Sequence, residues 1–99
     1  VQAGGYVMME NFIQRDGMVI TDKLSTYLIP TILDVPHKVE PLILEYADEI
    51  GPFGARGMGE MPYIPLAPAI LTAFHQATGV WLDEFPLTPE RVLRALGKF

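Results

Sequence analysis

Cysteine is absent from this chain, which excludes disulfides, thiolate zinc sites and cysteine-ligated iron–sulfur clusters within it. Histidine is nearly absent. His37 and His75 are isolated in the sequence and cannot form a metal site without carboxylates supplied by the fold, so a metal would have to arrive on an organic cofactor. Charge is scarce, at 19% of residues, and its balance is acidic, with a net charge of −5 and a pI near 4.8. The basic residues Arg15, Lys23, Lys38, Arg56, Arg91, Arg94 and Lys98 are scattered. That argues against nucleic acid as the main partner, because phosphate neutralisation needs clustered cations. No apolar run approaches the roughly 20 residues of a membrane span, and no signal-peptide pattern is present. There is no zinc motif and no Ser/His/Asp pattern to suggest a hydrolase.

What is abundant is apolar surface. Apolar residues make up 49% of the 99 and mean hydropathy is +0.24. A domain this small buries roughly 60–68% of its unfolded surface, so the excess points to a protein interface. Contiguous exposed apolar area beyond several hundred Å² is unusual in a soluble monomer, and the isolated chain is expected to self-associate.

The densest local signal is Gly51-Pro-Phe-Gly-Ala-Arg-Gly-Met-Gly-Glu60, with four glycines in nine positions and a terminal carboxylate. Glycine admits positive φ and close approach to the main chain, and freed amides can form a nest for an anion. The spacing fits neither a P-loop nor a dinucleotide fingerprint, and no Lys-Ser/Thr pair follows. From these residues alone, two readings stay open: an anion or oxyanion site with Glu60 at its rim, and a plain glycine connector ahead of a helix.

Periodicity predicts one α+β unit over residues 1–99, a short β-hairpin and strands packed with two or three helices. Residues 1–10 read as the close of a helix. Asp16-Gly17 between apolar runs predicts a hairpin joining residues 11–14 to 18–20. Leu24 to Ile29 is short and mixed, and Ile32 to Pro36 reads as a turn. Val39 to Tyr46 predicts a mostly buried strand, placed at an edge or bulge by Pro41. Pro65 and Pro68 open a helix that Gly79 closes, with Leu66, Ala69, Ile70, Ala73, Phe74 and Ala77 on its apolar face. His75 falls opposite that stripe and reads as a solvated imidazole, while Leu71 beside it suggests a second contact. Thr88-Pro89-Glu90 opens a final helix as N-cap, N1 and dipole partner. Val92, Leu93 and Leu96 are its apolar positions and Gly97 ends it. Met8, Met9 and Met18 read as flexible core filler, and Trp81 as a packing anchor. Asp48-Glu49 and Asp83-Glu84 read as solvated pairs.

The glycine motif, together with "APAILTAFHQATGV", "PLTPERVLRAL", "DGMVITDKLSTYLIPTILDVP" and Gln2-Ala3-Gly4-Gly5, resembles the C-terminal end of the molybdopterin-binding subunit of the xanthine dehydrogenase/aldehyde oxidase family. The likeness covers essentially the whole chain. With Val1 in place of an initiator Met, the sequence reads as a processed or excerpted portion of a larger domain. The resemblance implies a cytoplasmic oxidoreductase that hydroxylates an aldehyde or a purine-like N-heterocycle with water-derived oxygen. It implies Glu60 as general base towards the metal hydroxide, with Phe53 and Met58 desolvating it. It implies Gln2, Ala55, Arg56, Gly57, Met58 and Gly59 at a molybdenum–pterin cofactor, molybdopterin or its dinucleotide form. Gly57 and Gly59 would leave room for the metal. Arg56 stands where the family varies, and could face an anionic group or solvent. Iron–sulfur clusters and a flavin would lie on other domains or subunits. The partners implied are the rest of the subunit, those redox subunits and a small-molecule substrate, so this chain alone should be inactive. A non-catalytic assembly module and a glycine-loop anion-binding domain remain the alternatives.

Overall fold

A computed structural model describes residues 1–99. Helix α1 (Gln2–Met8) is the hub of the structure: Ala3, Gly5 and Val7 are buried on it, and Val7 is the only side chain fully removed from solvent. Gly5 is required here by close approach. A Cβ at this position would stand 2.5 Å from Pro30 Cδ and 2.6 Å from a Glu10 carboxylate oxygen. The following residues tie distant segments to the helix. Tyr27 donates its hydroxyl to Glu10 Oε2 at 2.7 Å, and the Leu87 amide donates to the Val7 carbonyl at 2.6 Å.

The predicted hairpin is present as β1 (Gln14–Arg15) and β2 (Met18–Val19), antiparallel, with Gln14 opposite Val19 and Arg15 opposite Met18. Asp16 and Gly17 both have positive φ, 50° and 78°. That pair of left-handed residues is the two-residue turn whose twist matches an antiparallel ribbon. The Ile32 turn is a short 3-10 helix, Ile32–Asp34. Thr31 caps it, with the Asp34 carboxylate accepting from the Thr31 amide at 2.7 Å and hydroxyl at 2.8 Å.

The expected strand over Val39–Tyr46 does not form. The segment carries no regular structure, and its apolar side chains stand in solvent: Leu42 is 85% exposed and Ile43 79%. A strand exists only with a neighbour to take its amides and carbonyls, and the one sheet of these 99 residues pairs β1 with β2 alone.

Helix α2 (Leu66–Thr78) follows Pro65 and ends at Gly79, in the left-handed region at φ 76°. It packs against α1. Its shielded face differs from the one periodicity predicts. Leu66, Ala67, Ile70, Leu71, Phe74 and His75 are half-buried, whereas Ala69, Ala73 and Ala77 face solvent. The large side chains seek the contact with α1, which turns the alanines outward. His75 is therefore not a solvated imidazole. It stacks on Trp81 at 4.0 Å between ring centroids, and its Nδ1 is shielded without a hydrogen-bond partner. Trp81 packs through that stack but stays 61% exposed. Of the three methionines expected as filler, Met8 and Met9 line an apolar cavity of about 270 Å³ with Pro30 and Ile70, while Met18 is 69% exposed.

Helix α3 (Pro89–Ala95) begins as predicted, with Thr88 Oγ1 accepting from the Arg91 amide at 3.4 Å and Gly97 left-handed beyond its end. Leu93, expected inside, is 40% exposed. The whole is a mixed α+β arrangement with one small core at α1. Its Cα radius of gyration is 17.6 Å, against about 13 Å for a compact 100-residue domain.

Candidate active site

The glycine segment begins with a pinned turn. Asp48 Oδ1 accepts from the amides of Ile50 at 2.9 Å and Gly51 at 2.8 Å, while the Asp48 amide donates to the Gly54 carbonyl at 3.0 Å. Those two amides hold the Asp48 carboxyl below the usual carboxylate range. Asp48 is thus a turn-former and not a solvated charge. Gly51 has no alternative, since a Cβ there would collide with the Ala55 carbonyl oxygen. Phe53 and Gly54 carry the left-handed geometry, at φ 56° and 78°.

The second half of the segment is different. Gly57 and Gly59 lack positive φ, and nothing lies within 4 Å of where a Cβ would stand. Within this chain they are bare backbone bordered by open space.

Glu60 ends the segment and heads the 3-10 turn Met61–Tyr63, its carbonyl accepting from the Tyr63 amide at 2.9 Å. Pro62 and Pro65 then stiffen the entry to α2. This path brings Glu60 to the start of α1, where Gln2 Nε2 donates to Glu60 Oε1 at 2.7 Å. The two residues line a cleft of about 300 Å³ with Ala3, Gly59, Pro62 and Tyr63. Tyr63 belongs to an aromatic wall, its ring 5.7 Å from that of Tyr6, which lies 5.7 Å from Phe85. Partial burial, then the nearby Tyr6, Glu10 and Glu60, push the Tyr63 phenol up. It remains a neutral donor across the ordinary pH range.

Of the residues singled out in the sequence, the structure brings Gln2, Gly59 and Glu60 together. Ala55, Gly57 and Met58 lie along the exposed approach. Arg56 borders a separate groove with Leu44, Tyr46 and Phe53, and it has no ion-pair partner. Phe53 is fully exposed and Met58 is 75% exposed, so neither desolvates Glu60 here. Tyr63 was not read from the sequence as part of the site. The one available signal was a tyrosine three residues after Glu60 at a proline-bounded turn.

No group of three His, Cys, Asp or Glu side chains converges to grip a bare metal ion. The donor set is instead suited to an organic group. It has an amide with a free carbonyl end on Gln2, uncluttered backbone at Gly57 and Gly59, and a carboxylate beside them. A molybdenum–pterin cofactor fits those residues.

No family-level sequence profile matches the chain. Individual relatives do. The chain is 39% identical over 99 residues to a probable hypoxanthine oxidase of Escherichia coli K12, covering 99% of this chain and 10% of the relative. It is 36% identical over 90 residues to a putative xanthine dehydrogenase molybdenum-binding subunit of the same organism, covering 89% of this chain and 12% of that subunit. The crystal structure of quinoline 2-oxidoreductase from Pseudomonas putida 86 superposes with a TM-score of 0.86 at 36% identity, over 98% of this chain and 13% of that one. The chain thus spans about a tenth of the length of the curated relatives it matches. Similarity in sequence and fold along nearly its whole length makes it a segment of the molybdenum-binding subunit of the xanthine dehydrogenase/aldehyde oxidase family of molybdenum hydroxylases.

Proposed function

We propose that this segment is the C-terminal part of its subunit and supplies the catalytic base of a molybdenum-dependent hydroxylase acting on an aldehyde or a purine-like N-heterocycle. The observation that carries the reading is the Glu60 carboxylate, oriented by Gln2 beside the bare backbone of Gly57 and Gly59. When bound, a molybdenum–pterin cofactor would supply the water-derived oxygen and take up the electron pair from the substrate carbon. Gln2 and the main chain from Ala55 to Gly59 would hold it. An ionised carboxylate accepts protons and offers no competing donor, so Glu60 can take the proton released as the carbon–oxygen bond forms, on Oε2, and pass it to solvent. Tyr63 lines one side of the cleft. An anion-binding loop would need amides and Arg56 to converge, but Arg56 borders a different groove.

The apolar strip from Val39 to Ile50 would be covered by the rest of the subunit, with iron–sulfur and flavin subunits completing electron transfer. The cytoplasmic setting of the complete enzyme rests on the family resemblance. No helix of this chain is long and apolar enough to cross a membrane.

The test is Glu60→Gln in the complete enzyme. A general base contributes about 10²–10⁴-fold, so turnover should fall by that factor while molybdenum content stays near normal. Turnover within about threefold of the parent would remove Glu60 from the reaction.

A further inference from the structure

We propose that Gln2 is a positioning residue for Glu60, acting through the carboxylate and not only as a ligand for the cofactor; this rests on the reading of Glu60 as the base. The bond joins residues 58 apart in sequence, and each arrives on backbone fixed by other means. Gln2 opens α1, which is anchored by the buried Ala3, Gly5 and Val7. Glu60 is held by the 3-10 turn that follows it. The chemistry sets the direction of the bond. An ionised carboxylate can only accept, so the glutamine must present its NH₂ group, and its carbonyl oxygen turns to the open side.

The consequence is an asymmetric carboxylate. Oε1 is occupied by the Gln2 donor, which leaves Oε2 as the oxygen that takes the proton. Glutamate has three side-chain torsions, and an exposed one samples many rotamers. One anchored oxygen narrows that range beside the cleft the two residues line. A neutral amide does this without cancelling the negative charge, whereas an arginine or lysine would add a positive charge that favours the ionised form and compete with the proton Glu60 must accept.

The experiment uses the complete holoenzyme carrying Gln2→Leu, Gln2→Glu, Glu60→Gln, and Gln2→Leu combined with Glu60→Gln. Misplacing a reacting group by about 1 Å can cost 10²-fold. Gln2→Leu is therefore expected to lower kcat per bound molybdenum about 10–100-fold with KM within about twofold of the parent, whatever molybdenum it also loses as a cofactor ligand. Gln2→Glu should be worse than Gln2→Leu, because a second carboxylate repels the first. In the Glu60→Gln background, Gln2→Leu should change the residual rate by less than about threefold, since coupled residues are non-additive. A crystal structure of the Gln2→Leu holoenzyme should show the Glu60 carboxylate spread over more than one rotamer.

A kcat per bound molybdenum equal to the parent's, with the whole rate loss explained by lost metal, would overturn the proposal and make Gln2 a cofactor ligand alone. So would an unchanged kcat, or a Glu60 carboxylate that keeps its single orientation. A fully active Glu60→Gln enzyme would instead overturn the assignment of the base itself, which the same set of proteins reports separately.

Discussion

Gly51 and Gly57 lie in one loop and answer to different constraints. At Gly51 the obstacle is internal, the Ala55 carbonyl oxygen, whereas at Gly57 and Gly59 the surrounding space is open. Gly51→Ala in the complete subunit should therefore destabilise the fold by about 1–3 kcal/mol, read as a lowered unfolding midpoint. Gly57→Ala and Gly59→Ala should change that midpoint by less than about 0.5 kcal/mol equivalent. A valine at either position should nevertheless lower bound molybdenum or turnover, because what needs the space is a group approaching from outside this chain. Normal metal and rate in both valine variants would show that nothing approaches there. The sequence marked these glycines as one motif. It could not divide them, because glycines held by a neighbouring carbonyl look the same in one dimension as glycines left bare.

Elements closed by local chemistry were legible, and those closed by distant partners were not. The Asp16-Gly17 turn, the Thr88 cap and the Gly79 stop each depend on residues within a few positions, and each is present. The strand expected at Val39–Tyr46 depends on a partner strand, and here the one sheet pairs β1 with β2 alone. The face of α2 depends on what packs against it, and His75 turned inward against its periodicity because Trp81, beyond the end of the helix, stacks on it. The contact between Gln2 and Glu60 was invisible for the same reason, although both residues could be singled out. Among the local elements, the Asp48 turn makes a pH prediction. Its folded-state pKa is depressed below the ordinary 3.8 by the Ile50 and Gly51 amides. The stability it contributes is thus present above pH 3.8 and is lost as pH falls through the lower folded value. Amide proton shifts of Ile50 and Gly51 in the complete subunit should hold down to about pH 4 and move together below it. Asp48→Ala should show the acid-state shifts at neutral pH. Shifts that are identical in parent and variant would mean that the carboxylate does not hold the turn.

At the scale of the whole molecule, the balance between apolar surface and core decides behaviour. Ala3 and Val7 are the only buried hydrophobic side chains, and the 39 backbone–backbone hydrogen bonds fall well short of the roughly 65 expected of a compact domain this size. Ordering a residue costs about 1–2 kcal/mol of backbone entropy, and the buried Val7, at about 1.5–3 kcal/mol, with the smaller Ala3 cannot offset that across the chain. The arrangement therefore belongs to a larger core, which the exposed Leu42, Ile43, Leu44 and Ile50 would join by packing against the rest of the subunit. Expressed alone, the 99 residues should self-associate at micromolar concentration or aggregate, melt without a cooperative transition, and leave the stretch from Gly51 to Pro62 mobile. Co-expressed with the remainder of the subunit, they should be recovered in a one-to-one complex, with residues 39–50 protected from protease. Sedimentation and calorimetry of the two preparations give the answer. A monomeric isolated chain with a sharp, reversible transition would mean that α1 and its few tethers suffice, and that the apolar strip serves some purpose other than completing a core.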